Sequence, residues 1–97
     1  TPRSTMSKLS CTLTINNKRG LHARASAKLA TLANQFPCQI QIGRTSGQLK
    51  NAKNLLEVMM LAASTGTELY LCAEGEQAEL ALSKLTELFD NKFAEDA

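Results

Sequence analysis

The chain has a single histidine, His22, which stands in the segment Gly20-Leu21-His22-Ala23-Arg24. A neutral imidazole nitrogen is a nucleophile able to hold a phosphoryl group. A guanidinium close behind it can make charge-assisted hydrogen bonds to the phosphoryl oxygens. The segment follows the turn-forming run Asn16-Asn17-Lys18-Arg19-Gly20 and leads into a helical pattern. The first turn of a helix leaves backbone N–H groups without partners, and these, with the helix dipole, make an anion site. The N–H groups of Ala23 and Arg24 are therefore candidates to meet a phosphate carried by His22. Gly20 allows the incoming backbone a conformation closed to other residues, which opens access to the ring. A plainer reading is also open: a polar residue at a helix start, on a surface loop, with no chemistry. The lone histidine does not decide between them.

The rest of the chain offers little competing chemistry. Cys11, Cys38 and Cys72 are an odd number and lie far apart, with no CxxC pair. Neither a zinc site nor a disulfide framework is indicated, and the three read as small buried hydrophobes. There is no second catalytic acid, no metal cluster and no glycine-rich nucleotide loop, so no cofactor or metal is expected. A net charge of +2 and only Tyr70, Phe36, Phe89 and Phe93 as aromatics give no basic patch interleaved with stacking rings. This disfavours nucleic-acid binding.

The elements that must position His22 follow from periodicity. Leu9, Cys11, Leu13 and Ile15 alternate with Ser10, Thr12 and Thr14, a strand with one buried face. From Ala23 to about Asn34 the period becomes helical, with Ser26, Leu29, Ala30 and Ala33 on one stripe, Phe36 closing it, and Phe36-Pro37 ending it. Cys38, Ile40 and Ile42 mark a second strand, Gly43 to Gly47 a hairpin connection, and Gln48 to Ala52 a short third strand. Asn54, with Glu57 three residues on, resembles a capping arrangement that opens a helix reaching about Ala63, which Thr65-Gly66 terminates. Leu69, Leu71 and Ala73 form a fourth strand. Ala78, Ala81, Leu82, Leu85, Leu88 and Phe89 stripe a last helix. The order βαββαβα predicts an α+β domain, an antiparallel sheet with helices on one face and Thr12, Thr14, Gln39 and Gln41 turned to solvent.

Length and composition fit one small domain: 97 residues, 43% apolar and 21% charged. Residues 6–97 are assigned to it. Thr1 to Thr5, ahead of Met6, carry no pattern and read as a cloning scar or a disordered N-terminus. No apolar run approaches the ~20 residues of a membrane span, and no signal peptide is evident. A cytoplasmic protein without membrane insertion is expected.

Several segments resemble one known family. Gly20-Leu21-His22-Ala23-Arg24, followed by Ala25-Ser26-Ala27, is similar to the active-site signature of the HPr family of bacterial phosphocarriers. Asn51-Ala52-Lys53-Asn54-Leu55 resembles the start of that family's second helix, Ser64-Thr65-Gly66-Thr67 its end, and Cys72-Ala73-Glu74-Gly75-Glu76 the strand-to-helix turn beyond it. The resemblance runs from about Lys8 to Phe89, with one apparent extra residue in the Gly43–Gly47 loop. It implies an HPr-like open-faced β-sandwich, a four-stranded antiparallel sheet with three helices. It implies also that His22 carries phosphate on Nδ1 with Arg24 assisting, that phosphorylated Enzyme I is the donor, and that IIA-type proteins are the acceptors. Such a chain is a phosphoryl-transfer protein, not an enzyme turning over a small molecule, and is expected to be a monomer. The alternative is a domain of the same fold that regulates by docking, without phosphoryl transfer.

Two positions depart from the family pattern. Ala25 stands where proline usually follows the arginine, which adds an N–H and gives up rigidity; transfer is expected to survive. Asn54 stands where one branch of the family has a regulatory serine. It keeps the cap but has no hydroxyl, so serine phosphorylation at that position is excluded.

The second helix also has a surplus of apolar residues. Val58, Leu61 and Ala62 suffice to face the sheet, which leaves Leu55, Leu56, Met59 and Met60 as a candidate partner surface. Methionine suits a surface that meets several partners. Lys53, Lys28 and Arg24 are expected to form a basic rim around it, with Glu57 influencing partner choice. The sugar-uptake and nitrogen-related branches of the phosphotransferase system both fit; the long apolar helix and Asn54 lean toward the second.

Overall fold

The computed structural model describes residues 8–61 and 63–94. Its strands are β1 (Lys8–Thr14), β2 (Gln39–Gly43), β3 (Leu49–Asn51) and β4 (Glu68–Glu74). Its helices are α1 (Ala23–Ala33), α2 (Leu55–Met59) and α3 (Ala78–Asp90), with a 3₁₀ turn at Lys92–Ala94. The four strands form one antiparallel sheet in the order β1-β4-β2-β3. Its register pairs Ser10 with Cys72, Ile40 with Ala73, and Ile42 with Lys50.

Alternation along the strands decides which face is covered. Ile40, Ile42, Leu69, Leu71 and Ala73 point to the buried side and meet Leu29 and Ala33 of α1 and Ala81, Leu85 and Phe89 of α3 in one core. Thr12, Thr14 and Gln39 lie on the opposite, exposed face, and Gln41 is half-buried there. Cys38 and Cys72 are buried and Cys11 half-buried, all three free thiols. Burial pushes the Cys11 thiol above its usual pKa, opposed by a hydrogen bond with Thr86.

The structure differs from the periodicity in three places. In β1, Ile15 just beyond the strand is fully buried, whereas Cys11 and Leu13 are half-buried and Leu9 is 37% exposed. The strand is an edge, and the core thins toward its start. The third strand is shorter than Gln48–Ala52, although the Ala52 N–H still reaches the Ile40 carbonyl at 2.9 Å. The second helix does not reach Ala63. It stops at Met59, with Met60 as C-cap. The Met60 N–H turns to both the Leu56 and Glu57 carbonyls, Leu61 bonds back to Val58, and the Leu61 carbonyl accepts from the Arg44 guanidinium at 3.1 Å. Beyond this tightened end the Ala63 carbonyl accepts the Leu21 N–H at 2.8 Å. Ala62 and Thr1 to Thr5 lie outside the described residues.

Candidate phosphoryl-carrying site at the start of α1

The chain arrives at His22 through a loop that is fastened before the helix begins. Asn17 is fully buried, and its Nδ2 donates to the Gly20 carbonyl at 2.8 Å. The Gly20 N–H returns to the Asn17 carbonyl at 3.2 Å, and the His22 N–H to the Gly20 carbonyl at 3.0 Å. Gly20 has φ +69°, and a Cβ there would stand 2.8 Å from the Ala63 carbonyl oxygen and from Ser64 Cα. Only glycine satisfies both the left-handed backbone and this approach. Its own amide is engaged by the loop, so its part is to shape the approach to the ring.

His22 is itself the N-cap of α1, with extended backbone at φ −84° and ψ −175°. Its Nδ1 accepts the Arg24 backbone N–H at 3.1 Å, the bond that serine, threonine or aspartate makes at most caps. A nitrogen that accepts an N–H carries no proton of its own, so the ring proton of neutral His22 sits on Nε2. The helix is anchored behind the cap. Ser26 N–H reaches the His22 carbonyl at 2.8 Å, Ser26 Oγ donates to the Leu21 carbonyl at 3.3 Å, and Ala25 is fully buried in the core.

Gly20, His22, Ala23 and Arg24 are thus brought together, as their spacing suggested. Ala23 and Arg24 are exposed in the first turn, and His22 is half-buried. Arg24 lines a shallow groove with Lys28, Thr31 and Leu88, and no hydrogen bond or ion pair among the described residues holds its guanidinium. The other two rim cations are committed. Lys28 Nζ donates to the Phe93 carbonyl at 2.5 Å, and Lys53 Nζ to the Phe36 carbonyl at 2.6 Å. The basic rim expected from Arg24, Lys28 and Lys53 therefore has its two lysines acting as ties to the C-terminal turn and to the end of α1.

On α2 the surplus apolar residues are exposed as expected: Leu55 at 42%, Leu56 at 69%, Met59 at 40% and Met60 at 62%, while Val58 and Leu61 are buried. Asn54 caps the helix, accepting the Glu57 N–H at 3.1 Å. Glu57 completes the cap by an unexpected route, its Oε1 accepting the Asn51 N–H at 2.9 Å. Its carboxylate is thus part of the helix start.

Asn17, Ser26, Ala63, Ser64 and Thr65 were not among the site residues read from the sequence. Asn17 was visible only as a turn former and Thr65-Gly66 only as a terminator. The signal available was the pairing of two turn-rich segments, which means little until the fold brings them together.

The cap histidine thus sets Nδ1 on a helix N-terminus beside an arginine that no partner among the described residues holds, and comparison with known proteins names the family. A model described as "PTS HPr component phosphorylation site" matches residues 9–91. The chain belongs to the HPr family. It is similar to the phosphocarrier protein HPr of Pseudomonas aeruginosa, 49% identical over 86% of this chain and 92% of that protein. It is also similar to the phosphocarrier protein NPr of Shewanella violacea, 42% identical over 93% of this chain and 98% of that protein. The crystal structure of HPr-C-His from Thermoanaerobacter tengcongensis superposes with a TM-score of 0.85 at 36% identity, covering 92% of this chain and 99% of that one. The HPr-family fold, an open-faced sandwich of a four-stranded antiparallel sheet and three helices, is the one described above. Among the described residues no helix is long and apolar enough to cross a membrane.

Proposed function

We propose that the chain accepts a phosphoryl group from phosphorylated Enzyme I on Nδ1 of His22 and passes it to IIA-type proteins. The observation that carries this reading is the 3.1 Å bond between His22 Nδ1 and the Arg24 N–H, which aims the nucleophilic nitrogen at a helix N-terminus. In the resting chain that bond occupies the nitrogen's lone pair. The ring swings off the amide before attack, giving up a hydrogen bond worth roughly 1 kcal/mol net.

The Nδ1 lone pair then forms a bond to phosphorus as the bond between phosphorus and the donor's histidine nitrogen breaks. The donor ring keeps that electron pair. The phosphoryl oxygens now sit where the cap nitrogen was, and the N–H groups of Ala23 and Arg24 turn to them. The Arg24 guanidinium, held by no partner among the described residues, adds a bidentate clamp. Transfer to the acceptor reverses these steps and restores the cap. Phosphoryl transfer asks mainly for positioning and charge stabilisation, which a small domain supplies with its partner. The exposed face of Leu55, Leu56, Met59 and Met60, on a helix packed against α1, is the surface on which donor and acceptor dock. One chain is the working unit.

Mixing the protein with phosphoenolpyruvate and either the sugar-type or the nitrogen-type Enzyme I tests the reading by mass. An acid-labile gain of one phosphoryl group, absent in His22→Ala, is expected. No gain with either donor removes it. The exposed α2 face needs no histidine to bind a partner, so a regulatory activity untouched in His22→Ala would favour the docking-only alternative.

A further inference from the structure

The loop that presents His22 is fastened to the turn following α2, and one side chain from that turn reaches across. Thr65 Oγ1 lies within hydrogen-bond reach of the Asn17 carbonyl and 2.9 Å from the Lys18 carbonyl, so its single proton is shared between two adjacent oxygens of the loop. The neighbouring links are made by backbone. Leu21 N–H bonds Ala63 at 2.8 Å, Gly66 N–H bonds Ile15 at 2.8 Å, and Ile15 N–H bonds Thr67 at 2.9 Å. These ladder bonds fix the two ends of the loop, at Ile15 and Leu21. Between them lie Asn16 to Gly20, and Thr65 clasps the middle of that span.

We infer that Thr65 is a positioning residue for phosphoryl transfer, its hydroxyl holding the Asn17–Gly20 turn so that His22 Nδ1 stays over the α1 N-terminus. The chain of contacts is short. Thr65 holds the Asn17 carbonyl, the Asn17 side chain holds the Gly20 carbonyl at 2.8 Å, and that same carbonyl accepts the His22 N–H at 3.0 Å. A shift of the Asn17 peptide therefore reaches the cap in two hydrogen bonds. Thr65 is itself exposed, and its role is not one of core packing.

This inference rests on the phosphocarrier reading for its kinetic consequence, and its structural half can be measured apart. Thr65→Val keeps the shape and removes the proton; Thr65→Ser keeps the proton. Thr65→Val is expected to take phosphoryl from phospho-Enzyme I about three- to tenfold more slowly, with unchanged dissociation constant for the donor, while Thr65→Ser stays within twofold of the parent. Amide hydrogen exchange should accelerate in Thr65→Val at Gly20, Leu21 and His22 and remain unchanged in β2 and β4. Equal transfer rates in Thr65→Val and the parent would overturn the inference, as would a Thr65→Ser variant as slow as Thr65→Val. If the parent takes no phosphoryl at all, the phosphocarrier reading fails. The exchange measurement then decides the clasp: local acceleration upholds it, and unchanged exchange at Gly20 to His22 overturns it.

Discussion

The loop before α1 and the exposed face of α2 lie on either side of the same turn, and they are built in opposite ways. In the loop, directional bonds tie the backbone and the Asn17 side chain: Asn17 to Gly20, Gly20 to Asn17, Leu21 to Ala63, His22 to Gly20 and Arg24. On α2 the side chains that meet solvent are Leu55, Leu56, Met59 and Met60, flexible and unbranched at Cβ, with no directional partner. Under the proposed function, the contrast follows from what each region would have to do. A nitrogen that gives and takes a phosphoryl group must be held to a fraction of an ångström, because misplacement costs rate steeply. A surface that meets a donor and several acceptors must re-pack for each, and apolar, rotatable side chains do so cheaply. The molecule therefore keeps rigidity and adaptability a few residues apart, separated by the turn from Ala63 to Thr67.

The sharpest way to break the rigid side is Gly20→Ala. The new Cβ must adopt a left-handed backbone and would stand 2.8 Å from the Ala63 oxygen and Ser64 Cα, both backbone atoms that cannot step aside alone. The expected loss is about 2–4 kcal/mol of unfolding free energy in denaturant titration, combining the backbone strain with the enforced separation of the loop from the turn. Phosphoryl acceptance at a temperature where the variant is still folded should fall more than tenfold. A variant that unfolds like the parent would mean that the turn tolerates the side chain and that the loop is less fixed than its hydrogen bonds imply.

Glu57 sits on the boundary between the two regions, and its substitution tests whether it belongs to the surface or to the frame. Its sequence position suggested influence on partner choice, yet its carboxylate accepts the Asn51 N–H at 2.9 Å and closes the start of α2. Glu57→Ala and Glu57→Lys both lose that acceptor, and each should cost about 1 kcal/mol of stability, the usual value of a cap bond. Glu57→Ala removes one negative charge from the proposed docking face, and Glu57→Lys reverses it. Comparing the two separates the frame from the surface: the loss of stability should be the same in both, whereas relative transfer rates to different IIA-type acceptors should shift further in Glu57→Lys than in Glu57→Ala. Identical rate ratios in both variants would leave Glu57 with the capping role alone.

What could be read in the sequence divides along the same line. The exposed apolar residues of α2 were legible because amphipathicity is local: Leu55, Leu56, Met59 and Met60 exceed what one helix face can hide, and counting reveals it. His22 is legible as a helix-start residue beside Arg24, and the family motifs are what point it to phosphoryl chemistry. The loop's fastening was not legible. Asn17 and Thr65 are 48 positions apart, and nothing in either segment announces that a hydroxyl will meet a carbonyl there. The early end of α2 was hidden for the same reason. The apolar pattern continues through Leu61, and beyond the helix end the Leu61 and Ala63 carbonyls find distant partners in the Arg44 guanidinium and the Leu21 N–H, contacts that periodicity does not register. Lys28 and Lys53 looked like surface charge and turned out to be tethers, because a long side chain can carry its ammonium to a distant carbonyl.

The adaptable side is tested with the smallest effect on folding. Leu56 and Met60 are the two most exposed of the α2 residues, at 69% and 62%, so replacing them by serine removes little that the fold buries. Leu56→Ser and Met60→Ser should each change unfolding free energy by no more than about 0.5 kcal/mol, the range for surface positions without special contacts. If this face docks the donor, the double variant should raise the KM for phospho-Enzyme I severalfold while leaving kcat within about twofold, because binding is lost uniformly and the His22 geometry is untouched. A fall in kcat at constant KM would instead mean that these side chains shape the transfer step itself. In that event the turn between them and His22 would transmit packing on α2 into the site, and the division between adaptable and fixed regions would not hold. An unchanged KM and kcat would move the docking surface elsewhere, with the groove lined by Arg24, Lys28 and Leu88 along α1 as the next face to mutate.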